Sequence, residues 1–353
     1  MLTTVPLLAF ALMSPFAPRL ARRFGMERVV FYALIVLLIG SISRSLSGTG
    51  TLFLGTLFIG LAIAILNVLI PSIVKRDFSD KVGLMTGVYS VAMNLCGALA
   101  SGISIPLART GFNWQGALVC WCLLVILAMV SWVPRLRSSQ RSTSFSVSKA
   151  EKGPSFWKSG LAWQVTAFMG LQSLVFYILA AWLPEILVSR GMSEDSGGWM
   201  LSLMQFSMLP FTFIVPIIAT RMRNQRPLIL ITTILLLIGI VGLFAKQNAL
   251  LPVWVILIGI GGAFSFSLAM IFFSLRTKSA QEAAELSGMA QTVGYLLAAI
   301  GPMLFGLLHD LTHNWNVPLI LITVAILFMF VLGLGAARNR YVSDTSSTTM
   351  DDM

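Results

Sequence analysis

Eleven stretches of this chain run for about twenty residues almost without a charge. They cover approximately 2–18, 29–46, 51–74, 83–106, 115–134, 161–188, 197–220, 228–245, 251–274, 285–308 and 316–337. At the 1.5 Å rise of an α-helix, each matches the roughly 30 Å hydrocarbon layer of a bilayer. No ten-residue alternation of apolar and polar positions appears, and an open sheet cannot span lipid. The pattern predicts an all-α membrane protein with eleven transmembrane helices. The first run lacks the basic lead and small-residue cleavage site of a signal peptide, and it ends in arginines.

Composition agrees: 57% of residues are hydrophobic and 10% are charged, against about 25% charged in a soluble domain. The net charge of +11 gains its meaning from position. Twenty of the 24 Lys and Arg residues fall in alternate loops, from Arg19, Arg22, Arg23 and Arg28 to Arg338 and Arg340. The other side receives Arg44, Arg109, Arg190 and Lys246. Cations stay on the cytoplasmic side, which puts the C-terminus inside and Met1 outside. The charge is therefore a topology signal, with no basic face interleaved with aromatics to bind nucleic acid. The bilayer is the partner that the composition demands. Cys96, Cys120 and Cys122 lie in apolar runs and read as buried, inert thiols; no His/Cys cluster has the spacing of a metal site.

An internal repeat organises the helices. "LMTGVYSVAMNLCGALAS" (84–101) aligns with "ELSGMAQTVGYLLAAIGP" (285–302), placing Gly87 on Gly288. The same offset of 201 carries Pro15 onto Pro216, Arg22 onto Arg223, Gly60 onto Gly261, Lys75 onto Arg276 and Asn113–Trp114 onto Asn314–Trp315. A six-helix period is even, so both halves keep one orientation, as in parallel-repeat transporters. The segment 161–188 has no upstream mate. The expectation is a twelve-helix plan whose first helix is missing from this chain, through a truncation, an alternative start or a start-site error. Domains follow as 1–134 (helices 2–6), a Ser-rich basic linker 135–160, 161–340 (helices 7–12) and a disordered tail 341–353.

The residues "TTVPLLAFALMSPFAPRLARRFGMER", "NVLIPSIVKRDF", "GFNWQGAL", "LAWQVTAFMGLQSLVFYILAAWLPEIL" and "LSGMAQTVGYLLAAIGPMLFGLLHD" resemble the cyanate- and nitroimidazole-transporter (CynX/NimT) family of the major facilitator superfamily. They are most similar to its 2-nitroimidazole exporter branch. The resemblance implies two pseudo-symmetric bundles and a small organic solute moved by alternating access. It also implies a cytoplasmic gating loop, here Arg19, Arg22, Arg23, Gly25 and Arg28. The superfamily signature G-x-L-A-D-R-x-G-R-R appears as "PRLARRFGMER", with Arg22 at the acidic position and Pro18 at the leading glycine. A latch built on that aspartate has no carboxylate here. Family members carry an arginine in the first helix, a segment these residues do not include.

A solute site is expected near mid-membrane between the halves, on faces with polar or small side chains. Gly87, Ser90, Asn94, Gly97 and Ser101 form one helical stripe, repeated as Gly288, Gln291, Tyr295, Ala298 and Pro302. Close helix packing alone would also select the glycines. Asn67 precedes Pro71 by four residues, so its own amide is expected to satisfy the carbonyl that the proline frees, or to touch solute. Gln172, Ser173, Phe176 and Tyr177 set an amide beside aromatic rings, suited to a flat, weakly polar solute. Candidate solute contacts are thus Asn67, Asn94, Gln172, Tyr177, Gln205, Gln291 and Tyr295. Ser265 and Ser267 are expected to bond back to their own helix.

No Asp, Glu, Lys, Arg or His lies at mid-membrane. Glu185, one residue after Pro184, is the candidate proton carrier. Glu282 and Glu285 read as helix N-terminal capping groups, and "HDLTH" (309–313) as a solvated outer loop. No nucleophile–base pair or carboxylate cluster at one depth supports an enzyme, and no cofactor is implied. The reading is a monomeric secondary transporter of small organic solutes, with nitroimidazole efflux first, protons as candidate coupling ions, and a bacterial inner membrane as its place. The alternatives are uptake of an anion such as cyanate, or a truncated product that does not transport.

Overall fold

The computed structural model describes residues 4–46, 48–107, 113–139, 156–245 and 248–344. The linker residues 140–155, the tail 345–353, Met1, Arg109, Lys246 and the side chain of Ser101 lie outside the described residues. Thirteen α-helices and no strand occur among the described residues: α1 (Thr4–Met13), α2 (Ala17–Phe24), α3 (Met26–Ser45), α4 (Thr49–Asp77), α5 (Val82–Leu107), α6 (Asn113–Cys120), α7 (Cys122–Ser139), α8 (Gly160–Val188), α9 (Glu194–Arg221), α10 (Arg226–Gly242), α11 (Leu251–Leu275), α12 (Ala280–Thr312) and α13 (Asn316–Ala336).

Each of the eleven apolar runs is helical, and two are broken. The run 2–18 divides at Ser14–Phe16, where Pro15 and Pro18 interrupt the backbone ladder and the Ser14 hydroxyl donates to the Phe10 carbonyl at 2.6 Å. The run 115–134 divides at Trp121 into α6 and α7. Gly25, at φ +86°, both ends α2 and begins α3. That backbone conformation is one an L side chain rarely adopts. Ser159, Ser193 and Ser279 cap α8, α9 and α12 through their hydroxyls, each accepting an N–H three residues on.

The packing repeats with the sequence. The neighbours α3–α4 and α1–α4 in the first half have α10–α11 and α9–α11 as counterparts in the second. Between the halves, α5 packs on α9 and α12 on α1. The repeat-related glycines sit at these two seams. A Cβ on Gly87 would lie 2.6 Å from the Phe213 carbonyl oxygen, and one on Gly288 would lie 3.0 Å from that of Ser14. α8, the helix without an upstream mate, packs mainly along α12. The core does not divide cleanly at the repeat: Leu7, Phe10 and Ala64 join the buried cluster of the second half. Large apolar side chains such as Leu127, Val130, Phe328 and Val331 lie exposed on the outer surface, as lipid-facing residues do.

Three expectations are corrected. Tyr341–Asp344 is docked rather than disordered: Val342 is buried, its N–H donates to the Arg276 carbonyl at 2.9 Å, and Asp344 meets Lys278 at 2.5 Å. His309–Thr312 forms the last turn of α12, not a loop, and His309 stacks on Trp315 at 3.8 Å. His313 ends that helix in the left-handed conformation. Of the cysteines, Cys122 is buried but Cys96 and Cys120 are exposed.

Candidate functional site

Proline chemistry shapes the middle of the seam. Pro71 has no N–H, so the carbonyl of Asn67 loses its donor within α4. The expectation that the Asn67 amide would serve that carbonyl is corrected. The donor is Gln291 of α12, whose Nε2 lies 3.0 Å from it and 2.8 Å from the Ser287 hydroxyl. Gln291 is fully buried, and its Oε1 has no hydrogen-bond partner. It lies eleven residues into α12, about 16 Å from the helix start and so near half the bilayer depth.

Tyr295, one turn further on, packs its ring on Phe10 at 4.8 Å, and its hydroxyl sits beside Asn67 and Tyr177. Phe176 and Tyr177 pack edge to face at 5.4 Å. The structure thus brings together Asn67, Tyr177, Gln291 and Tyr295, drawn from α4, α8 and α12 with Phe10 of α1. This is a seam of amide, hydroxyl and phenol groups between rings. It offers hydrogen bonds and flat stacking surfaces but no formal charge.

The other candidates lie elsewhere. Gln172 turns into the second half, where Nε2 donates to the Ser173 hydroxyl at 2.8 Å and meets the Met169 sulfur at 3.2 Å. With Ser265 it lines a void of about 20 Å³ among α8, α9 and α11, room for one water. Asn94 bonds back to the Ser90 carbonyl of its own helix at 3.0 Å. Gln205 is exposed on α9, and Glu185 is exposed near the end of α8. Ser265 bonds within its own helix as expected, whereas Ser267 reaches the Thr212 carbonyl of α9 at 3.5 Å.

At the end of the molecule that carries the basic loops, polar contacts join the halves. Arg22 forms an ion pair with Glu285. Glu285 therefore pairs across the seam rather than capping α12. Glu282 does cap, accepting the Lys278 N–H at 2.6 Å. Arg22, at the position where the signature has its acidic residue, thus carries the opposite charge and finds its carboxylate in the other half. Arg19 and Arg23 lie over the Phe16 and Phe24 rings, at 5.8 and 5.3 Å, and Arg28 is exposed. Lys75, at the end of α4, donates to the carbonyls of Ser274 (2.5 Å) and Thr277 and to the Thr277 hydroxyl (3.0 Å), at the end of α11. Neither the Lys75 contact nor the Gln291 contact followed from local sequence. The orphaned Asn67 carbonyl was the available signal that some donor must approach.

Comparison with known proteins matches this arrangement to a family. The profile described as "Major Facilitator Superfamily" matches residues 1–193 and 165–349. "Uncharacterized transporter YycB" of Bacillus subtilis is 47% identical over 343 residues, covering 97% of this chain and 85% of that protein. "2-nitroimidazole transporter" of Escherichia coli is 44% identical, covering 97% and 86%. "Cyanate transport protein CynX" of Escherichia coli is 23% identical, covering 97% and 88%. Among solved structures, the proton:xylose symporter XylE superposes with a TM-score of 0.75 at 11% identity, covering 98% of this chain and 88% of that one.

Proposed function

Because this chain belongs to the major facilitator superfamily, we propose that it is an inner-membrane exporter of small, flat, nitroimidazole-like solutes working by alternating access. The halves 1–134 and 161–340 rock about their seam, joined by the linker 135–160, with the basic loops and the C-terminus in the cytoplasm. The observation that carries this reading is the buried, unpartnered Oε1 of Gln291, one turn from Tyr295, whose ring packs on Phe10 and whose hydroxyl lies beside Tyr177. A 2-nitroimidazole has one ring N–H to donate to such an acceptor, a flat face to stack, and a nitro group to accept from a phenol.

The likeness to the 2-nitroimidazole transporter supports the solute class. A bare anion such as cyanate is the weaker reading, since the seam has no cation at its depth among the described residues. The contacts of Arg22, Lys75 and Gly87 fit a state closed on the cytoplasmic side. Protons are the proposed coupling ion, with Glu185, exposed near the outer end of α8, as the proposed carrier. The test is accumulation of 2-nitroimidazole in cells lacking their own exporter. Expression of this chain lowers the cell-associated compound and Gln291→Met restores it. Equal accumulation with and without the chain rejects the efflux reading.

A further inference from the structure

A crevice of about 870 Å³ opens between the halves at the basic end of the molecule. Its lining includes four cations, Lys75 and Lys81 from the first half and Arg221 and Lys278 from the second, against one carboxylate, Asp80. Lys278 is paired with Asp344, and the Ser79 hydroxyl lies 3.4 Å from Asp80. Lys81 and Arg221 make no ion pair among the described residues. The three N–H groups of Lys75 are taken by Ser274 and Thr277, so it contributes charge rather than a free donor. Ser274 lines the same crevice. That residue is 6% exposed, and its Oγ has no hydrogen-bond partner.

Closing this face therefore draws like charges from both halves around one space and leaves a buried hydroxyl unused. Like charges gathered in a cleft repel, water screens the exposed Lys81 and Arg221 only in part, and an anion between them relieves the repulsion. The first turn of α5 (Val82, Gly83 and Leu84) also borders the space, adding the positive end of a helix. We propose that this crevice is a binding site for a phosphate group, bridging Lys81 and Arg221 across the seam and accepting from Ser274. The group is either free phosphate or the phosphomonoester headgroup of an anionic lipid. Bound there, it fastens the two halves together on this face. The site is separate from the solute seam and holds whichever solute is carried.

The test uses the purified full chain and its unfolding midpoint by intrinsic tryptophan fluorescence. In neutral detergent, inorganic phosphate is titrated at constant ionic strength against chloride. In a second arm, nanodiscs of phosphatidylcholine are compared with discs containing phosphatidic acid, without free phosphate. A saturable rise with phosphate identifies the free anion, and a rise with phosphatidic acid alone identifies the headgroup. The double variant K81Q/R221Q changes only exposed side chains, so its fold is retained. It binds at least about tenfold more weakly, the loss expected for two charge-assisted contacts. Ser274→Ala weakens binding by about threefold, as for one neutral hydrogen bond. No saturable rise in either arm, or the same rise in K81Q/R221Q as in the parent, overturns the assignment.

Discussion

Replacing Gln291 with Met separates a solute contact from a packing contact. Met keeps the volume of the side chain and removes both polar atoms, so no cavity forms. Three polar groups then change state. The Asn67 carbonyl loses its donor and, with Pro71 below it, has no helical substitute. An orphaned buried acceptor costs about 1–3 kcal/mol. The Ser287 hydroxyl loses the Gln291 donor and turns to its own helix at small cost. Against these losses, the parent protein already holds Oε1 buried and unpartnered, and deleting it recovers about 1–3 kcal/mol. The two large changes nearly cancel, and the unfolding midpoint of Gln291→Met stays within the equivalent of about 1 kcal/mol of the parent.

Transport behaves differently. A solute that donates to Oε1 loses one neutral hydrogen bond, about 0.5–1.5 kcal/mol, and KM for 2-nitroimidazole in proteoliposomes rises about threefold to tenfold. The proline supplies the control. In a Pro71→Ala background, residue 71 can donate to the Asn67 carbonyl, so adding Gln291→Met no longer orphans it. The cycle should show a coupling of about 1 kcal/mol in unfolding free energy. A large fall in the midpoint of Gln291→Met with KM unchanged would make Gln291 a strut and refute its role as a solute contact.

Other perturbations test the seam and the ends of the helices. Gly87→Ala sets a Cβ 2.6 Å from a backbone oxygen of Phe213, whereas Gly288→Ala meets the Ser14 oxygen and Pro18 at 3.0 Å. Both destabilise this state by about 1–3 kcal/mol, Gly87→Ala the more, as thermal unfolding will show; the reverse order contradicts the geometry. Arg276 is fully buried, with Nε 2.7 Å from the Ala336 carbonyl, Nη2 3.1 Å from that of Ala337, and a further bond to Gln225. Burial lowers its pKa to about 10, which leaves it charged at neutral pH. Arg276→Met abandons three acceptors and costs about 3 kcal/mol or more; a change under about 1 kcal/mol would show that the network is replaceable. The Lys278 hydrogen bond holds the Asp344 carboxyl below the usual aspartate value of 3.8. A depressed folded-state pKa gives stability that is complete above the unfolded value and is lost as pH falls through the folded one. Cleavage of the 341–353 segment by an acid protease should therefore accelerate below pH 3.8, and Asp344→Asn should lose that pH dependence.

The helices were legible because lipid leaves the backbone no alternative. A charge-free run of about twenty residues has to satisfy its own hydrogen bonds. The repeat made more legible than the helices themselves, since aligning Gly87 with Gly288 marks the two equivalent seams. The break in the first run carries a signal in Pro15 and Pro18, three residues apart, that the reading of 2–18 as one helix passes over; the break at Trp121 carries none. Pairing across the seam was not signalled. The Gln291–Asn67 bond joins residues 224 apart, and nothing periodic connects them. Glu285 has a helix start and an arginine both within reach, and only the approach of α2 decides between them. Gln172 and Tyr177 lie on one helix with similar polarity. Five residues apart, they point about 140° away from each other, which sends one into the second half and the other to the seam.

The divergence of one repeat pair explains how such a seam can be tight in one state yet still open. Lys75 and Arg276 occupy equivalent places at the ends of α4 and α11. Arg276 spends its charge inside its own half, tying the end of α13 to α10 in a buried network that costs several kcal/mol to break. Lys75 reaches instead into the other half, to carbonyls at the end of α11. A cation at a helix C-terminus contributes about 0.3–2 kcal/mol. The partly exposed Arg22–Glu285 pair adds about 0–1 kcal/mol. The strong tie therefore lies within a half and the weak ties run between halves. Under the proposed rocking motion, the second half moves as a stiff body about contacts, the Gln291–Asn67 bond included, whose polar part sums to only a few kcal/mol, a gap that a bound solute or counter-ion can bridge.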